Sequence, residues 1–310
     1  MDSRSRFVVI CNLRWTVLTA IAFLAFLLAA HLSLAQSASQ DQNLSNNEVP
    51  PTGDMKGFSL FEEFHGSAGS SGQFLVLDSA LEYDFNNHFG MGVGLPVYFL
   101  HPDTSALGQS EPWQNHSGDP YLDLRLTLDK PILSYATVLS LSVPTSSAGL
   151  FSTGKVGVNW FNHFERPVKR FVPFVNAGIG NGALASYVLS QPFRLSQTYT
   201  PYGFVADFEG GTLFRLSQRW GLGGLYYVLV PCGHQTVLAS GPSDSSSQAI
   251  DVSQLTHDDG LSAFVRLIPT PYLYAQVGYV HSVKLSQDAA TFIVGVDVLA
   301  LARRSRAQSQ

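Results

Sequence analysis

Leu122-Asp123-Leu124-Arg125-Leu126-Thr127-Leu128-Asp129 sets leucine at every second position and a charged or polar residue between each pair. A period of two places all four leucines on one face of an extended chain and Asp123, Arg125 and Thr127 on the other, and a helix would scramble the two sets. The same segregation marks the preceding run, where Phe89, Met91, Val93, Leu95, Val97 and Phe99 oppose His88, Gly90, Gly92, Gly94, Pro96 and Tyr98. It returns near the end in Ala290, Phe292, Val294, Val296 and Val298, with Ile293 interrupting the otherwise polar opposite face.

Working outward from these three, runs of similar length fall near residues 57–65, 73–85, 132–143, 153–161, 171–181, 201–215, 219–230, 260–268 and 272–283. About twelve strands result, each of the length a tilted strand needs to cross an apolar layer of ~25 Å. The connections alternate as well. Asn86-Asn87, Asp129-Lys130-Pro131, Asn162 to Lys169, Leu216 to Gln218 and Pro269-Thr270-Pro271 follow the even strands, and all but the third are tight. Longer stretches, His101 to Gly118, Gly182 to Tyr199 and Pro231 to Asp259, follow odd ones and are rich in Ser, Gly, Pro or Asn. Short turns at one end and long loops at the other are the habit of outer-membrane barrels, and a β-sandwich has no such rule.

Composition agrees. Charged residues make up 13% of the 310 and apolar and aromatic residues 45%, against the ~25% charge of a soluble domain. Beyond the leader no apolar run reaches the ~20 residues of a spanning helix, so lipid contact must come through strands. A net charge of −5 offers no basic footprint for nucleic acid. Cys11 lies in the leader and Cys232 stands alone in the mature chain, which excludes an internal disulfide, and no cysteine-histidine metal pattern exists. Nothing in the sequence calls for a cofactor or a metal.

The expected organisation is a signal peptide over 1–35, an irregular polar lead-in over 36–55, a barrel over 56–300 and a basic tail over 301–310. Arg4, Arg6 and Arg14 precede the apolar run Val17 to Ala30, and Ser33-Leu34-Ala35 supplies the small residues that a signal peptidase reads. The fold class is therefore all-β: an antiparallel up-and-down transmembrane β-barrel placed in the bacterial outer membrane, with membrane lipid as its surroundings. An unpaired amide or carbonyl in the bilayer costs several kcal/mol, so the sheet has to close. Parity then turns Asp78, Glu82, Asp123, Arg125 and Lys155 inward, together with Asp207, Glu209, Arg215 and Arg266. These nine form either a selective constriction or a salt-bridged plug. A charge on the outer face at mid-depth would count against this register. Tyr83, Phe85, Trp160, Phe171, Trp220, Tyr272 and Tyr274 are expected at the membrane interfaces.

Three motifs in order carry a resemblance. Phe89-Gly90-Met91-Gly92-Val93-Gly94-Leu95-Pro96, then Ser117-Gly118-Asp119-Pro120-Tyr121-Leu122-Asp123-Leu124-Arg125, then Leu141-Ser142-Val143-Pro144-Thr145 resemble the outer-membrane proteins grouped as "meta-pathway of phenol degradation" transporters. The resemblance spans roughly residues 57–299 and implies passive passage of small, often hydrophobic or aromatic compounds. It also implies insertion by the barrel-assembly machinery. Ser146 stands where that family usually has glycine, and the chain ends on a tail with Arg303, Arg304 and Arg306 instead of an aromatic residue.

Other motifs carry less. Gly90, Gly92 and Gly94 lack the Gly-x-Gly-x-x-Gly spacing and a following helix, so they read as a small-residue stripe that lets other groups approach closely. His257-Asp258-Asp259-Gly260 offers carboxylates to calcium, and Asn115-His116-Ser117-Gly118-Asp119 sets a serine near a histidine, but neither is a full ligand or catalytic set. The function expected is a passive channel and not an enzyme. A lipid-modifying barrel enzyme, a structural or adhesion barrel and a periplasmic soluble β-protein are the alternatives. The leader makes a simple prediction: protein recovered from the outer membrane should begin at Gln36, as read by intact mass, and a mass retaining residues 1–35 would refute cleavage there.

Overall fold

The protein's structure, a computed structural model, describes residues 57–69, 72–102, 113–129, 133–145, 155–181, 199–239, 258–284 and 286–308. The signal peptide and lead-in expected over 1–55 lie outside the described residues. Thirteen strands follow one another: β1 (Gly57–Gly69), β2 (Gly72–Asp84), β3 (Phe89–Pro102), β4 (Gln114–Ser117), β5 (Tyr121–Asp129), β6 (Ser134–Ser142), β7 (Gly157–Glu165), β8 (Phe171–Gly180), β9 (Tyr199–Arg215), β10 (Trp220–Ala239), β11 (Asp258–Thr270), β12 (Leu273–Ser282) and β13 (Gln287–Asp297). Every neighbouring pair is antiparallel. β4 and β5 both pair with β3, one beyond the other, and so form a single interrupted stave of a twelve-stave sheet. The sheet closes because β1 pairs with β2 on one side and with β13 on the other, in the register Phe61↔Asp297 to Gly69↔Ala289.

Burial alternates along the staves as the sequence period requires. On β8, Val172, Phe174, Asn176 and Gly178 turn inward while Phe171, Val175 and Ile179 face out. The four leucines of the 122–128 run share the outer face of β5, and Asp123 and Arg125 pair with inward positions of β3 and β6. Val93, Leu95, Phe208, Leu222, Leu261 and Val277 are likewise exposed on the outside, an apolar surface that water would not tolerate and hydrocarbon does.

At the short-turn end an aromatic belt encircles much of the barrel. Phe58, Tyr83, Phe85 and Phe89 form a chain of ring contacts with centroids 4.8 to 5.4 Å apart, and Tyr135 with Phe164 and Phe171 with Phe214 continue it. Of the aromatics expected at the interfaces, Trp160 falls near the middle of β7, which begins later than expected, and Tyr274 turns inward. Its hydroxyl donates inward to Glu63, because Tyr274 pairs with Gly295 and an inward glycine leaves room for the ring.

Several boundaries differ from expectation: β10 runs to Ala239, into the stretch from Pro231 read as a long loop, β4 occupies part of the stretch His101 to Gly118, and three more have a plain physical reason. β7 runs four residues later than the expected 153–161, since Asn162, His163 and Glu165 read as turn residues in sequence yet are hydrogen-bonded strand residues here, His163 and Glu165 inside the barrel. The turn after β7 is therefore as tight as the others. β1 extends to Gly69, so its connection to β2 is short although it lies at the long-loop end. The last strand stops at Asp297, whose carboxylate accepts the Ala300 amide at 3.0 Å as an N-cap, and the chain continues as α1 (Val298–Gln308), where the barrel was expected to run to 300 and a basic tail to follow. Arg303 anchors α1 by donating to the Phe58 carbonyl at 2.8 Å.

The glycines test the packing. A Cβ added to Gly94 would fall inside the Tyr121 ring, whereas one added to Gly210, on the outer face, would meet nothing within 4 Å. Gly94→Val should lose about 1 to 3 kcal/mol by overpacking, and Gly210→Ala should stay within about 0.5 kcal/mol of the parent. Urea unfolding of the reconstituted barrel, followed by heat-modifiable gel mobility, measures both.

Candidate functional site in the barrel interior

One wall of the interior is built over the glycine stripe of β3. Gly90, Gly92 and Gly94 each lie between an inward residue of β2 and one of β5. Because the stripe has no side chains, Arg125 reaches across Gly90 to Glu82 (2.9 Å) and Asp84 (2.6 Å). Tyr121 reaches across Gly94 and donates to Asp78 Oδ2 at 2.8 Å. A Cβ at Gly90 would collide with the Asp84 carboxylate and one at Gly92 would lie 3.2 Å from Glu82 Cγ, so the stripe is what permits the clamp. Glu63 stands opposite Asp78 on β1, with His65 one inward step further.

The opposite wall carries a second polar network. His163 contacts Asn176 Oδ1 at 2.6 Å and Glu165 Oε2 at 3.3 Å, and Asn176 donates to Glu209 Oε2 at 2.7 Å. Arg266 donates from Nε and Nη2 to Gln276 Oε1 at 3.0 and 2.7 Å, and its guanidinium lies within electrostatic reach of Glu165 from four staves away. Apolar clusters share the interior with them. Val205, Tyr227, Leu229, Val280 and Ala289 form one buried cluster, and Val172, Leu213 and Phe264 form another. At the long-loop end Asp258 accepts from Tyr227 (3.1 Å) and Ser282 (2.5 Å).

Of the nine residues expected inside, Asp78, Glu82, Asp123 and Arg125 lie on the first wall, and Asp207, Glu209 and Arg266 are buried on the second. Arg215 takes the inward position opposite Gly221 at the short-turn end. Lys155 does not join them. It stands exposed two residues before β7 begins, because that strand starts later than its sequence pattern implied. The sequence reading missed Glu63, His65, His163, Glu165, Asn176 and Asp258. The signal for the first two was present, since Glu63, His65 and Ser67 alternate, but Phe61 on the same face and Glu62 on the other obscured it.

Glu62 is the exception to charge segregation. It faces outward, paired with Ser79, whose hydroxyl donates to it at 2.6 Å. Asp259 and Asp288 also face outward, but at the long-loop end, where Tyr226 and Tyr279 donate to them. Asp258 and Asp259 therefore point to opposite faces, which separates the carboxylates that the sequence offered to calcium; His257 lies outside the described residues. Among the described residues no three His, Cys, Asp or Glu side chains gather to hold a metal.

The three sequence motifs meet in space at the long-loop end. The Gly118 amide donates to the Pro96 carbonyl at 2.8 Å, and the Val143 amide donates to the Pro120 carbonyl at 3.0 Å. Asp119 Oδ1 accepts from the Thr145 amide at 3.0 Å and its hydroxyl at 3.3 Å. Together these bonds fasten β3, β5 and β6 where their long loops begin.

No family model matches the sequence, and neither does any curated protein. Among solved structures the chain is similar to the COG4313 outer membrane channel from Pseudomonas putida F1, with 9% identity, a TM-score of 0.49 and coverage of 84% of this chain and 99% of that one. It is also similar to the NanC porin, at 8% identity, a TM-score of 0.45 and coverage of 76% and 100%. The CymD monoaromatic hydrocarbon channel follows with 8% identity, a TM-score of 0.39 and coverage of 78% and 87%. The chain's own closed sheet and apolar outer surface define its class: an antiparallel transmembrane β-barrel of twelve staves.

Arg125 gives the sharpest stability test of the interior. Arg125→Met leaves Glu82 and Asp84 buried without their cation, and should cost roughly 3 to 5 kcal/mol. Adding Glu82→Gln and Asp84→Asn should restore part of that loss, as urea midpoints of the reconstituted variants would show. Additive losses would mean that the clamp contributes nothing.

Proposed function

We propose that the barrel is a passive channel for small solutes, with the two polar walls and the apolar clusters beside them as the surface that a solute meets. The observation that carries this reading is the sorting of chemistry across the sheet: charge and hydrogen-bonding groups gather inside, where they have no value for membrane insertion. A polar lining at that position lowers the barrier to solutes that hydrocarbon excludes. The buried rings and aliphatic groups beside it favour solutes with an apolar body, in keeping with the small hydrophobic or aromatic compounds implied by the motif resemblance. We read the three converging motifs as those of a phenol-degradation transporter-like barrel.

A lipid-acting enzyme would need a nucleophile hydrogen-bonded to an oriented base. His163 spends both ring nitrogens on Asn176 and Glu165 and so offers none to a hydroxyl nucleophile. The exported protein, refolded into a planar bilayer, should give discrete conductance steps. A protein that shows heat-modifiable mobility and yet leaves the bilayer silent would exclude the channel.

A further inference from the structure

Neutralisation of the first wall is incomplete. Five inward carboxylates, those of Glu63, Asp78, Glu82, Asp84 and Asp123, share one guanidinium, and Arg125 engages only Glu82 and Asp84. Tyrosine hydroxyls reach Glu63 and one oxygen of Asp78. The buried Oδ1 atoms of Asp78 and Asp123 accept no hydrogen bond. Unpaired carboxylates at this spacing repel one another, and the low-dielectric barrel wall strengthens the repulsion.

His65 supplies an independent observation. It is 3% exposed and turned inward beside the Glu63–Asp78 pair, yet neither ring nitrogen makes a hydrogen bond. Its Nδ1 lies 3.6 Å from Glu63 Oε1. Buried polar groups in folded proteins are satisfied with few exceptions, so the unbonded His65 ring and the unbonded Asp78 and Asp123 oxygens mark acceptors along this wall that have no partner. Carboxylates only accept, and a neutral imidazole keeps one acceptor nitrogen. The missing complement is a positively charged hydrogen-bond donor.

The same surface selects the kind of cation. Its acceptors are strung along β1, β2 and β5 and do not converge as metal ligands do, which suits an organic cation handed from one acceptor to the next. Buried aromatic side chains flank them. Phe61 stacks with Tyr274 at 6.0 Å, and Phe74 lies 6.4 Å from the His65 ring. Aromatic faces attract ammonium groups and shelter the carbon body attached to them.

We propose that this wall is a transit path for small organic ammonium ions, which pass from acceptor to acceptor along it, with Asp78 and His65 beside Phe74 at one step and Asp123 at another. The path makes the channel cation-selective. This inference rests on the channel reading above and narrows it to a solute class.

Reversal potentials of the reconstituted full-length exported protein under a potassium chloride gradient test it, followed by titration with benzylammonium chloride and, separately, sodium benzoate. A cation-to-anion permeability ratio of roughly fivefold or more is expected, together with concentration-dependent block of the potassium current by benzylammonium and none by benzoate. Asp123→Asn and His65→Phe should each lower the ratio and weaken the block about twofold or more. Heat-modifiable mobility shows whether each variant has folded, and if neither folds, the parent's ratio and block decide. A conducting parent that prefers anions, shows no preference, or responds alike to benzylammonium and benzoate overturns this inference and leaves the channel reading standing. A parent without conductance overturns both.

Discussion

Pairing of β1 with β13 is the contact on which the rest of the molecule depends. Hydrocarbon offers no partner to a backbone amide or carbonyl, so every strand edge exposed to it would cost several kcal/mol per group. Nine residue pairs from Phe61↔Asp297 to Gly69↔Ala289 remove the last edge, and they join segments more than two hundred residues apart in sequence. Twelve staves of alternating side chains then have only one arrangement, greasy faces outward and the remainder inside. The N-cap at Asp297 and the bond from Arg303 to the Phe58 carbonyl fasten the two chain ends of this seam at its short-turn end.

Closure creates a confined interior, and the side chains allowed there follow from the space available. A row of three glycines on β3 is unfavourable by strand propensity alone, since glycine adds entropy cost and no packing. Its value lies in what crosses it. Arg125 spans from β5 to two carboxylates of β2 over Gly90, and Tyr121 does the same over Gly94. The pattern recurs where Tyr274 lies against Gly295 and Phe264 against Gly223. Small residues beside large ones let neighbouring staves be bound through their side chains as well as their ladders, and this holds the interior groups at fixed positions. A polar surface held in that way keeps its hydrogen-bonding groups in place.

Segments with both faces clearly sorted were legible from sequence. β5 and β3 were read at nearly their true limits because lipid and lumen impose opposite chemistry at single-residue spacing. Legibility failed where the interior is itself apolar or where a strand ends in polar residues. Phe61 and Ile293 face inward and Glu62 faces out, which blurs β1 and β13. His163 and Glu165 looked like turn residues because their buried partners, Asn176 among them, lie on other parts of the chain. Lys155 was assigned to the interior by counting back along a strand that begins later than its pattern implied.

Alternation, connection length and charge composition by themselves determined a twelve-stave barrel in a membrane, since each is a one-dimensional record of a two-faced environment. Which inward groups meet was decided only by the tertiary structure. Barrel closure and stagger bring β1, β2 and β5 together around the stripe on β3, and they place Arg266 within reach of Glu165 from four staves away. No local period encodes those distances. The difference is physical: solvent sorts side chains residue by residue, whereas the contacts that satisfy or orphan a buried charge depend on how the whole sheet curves back on itself.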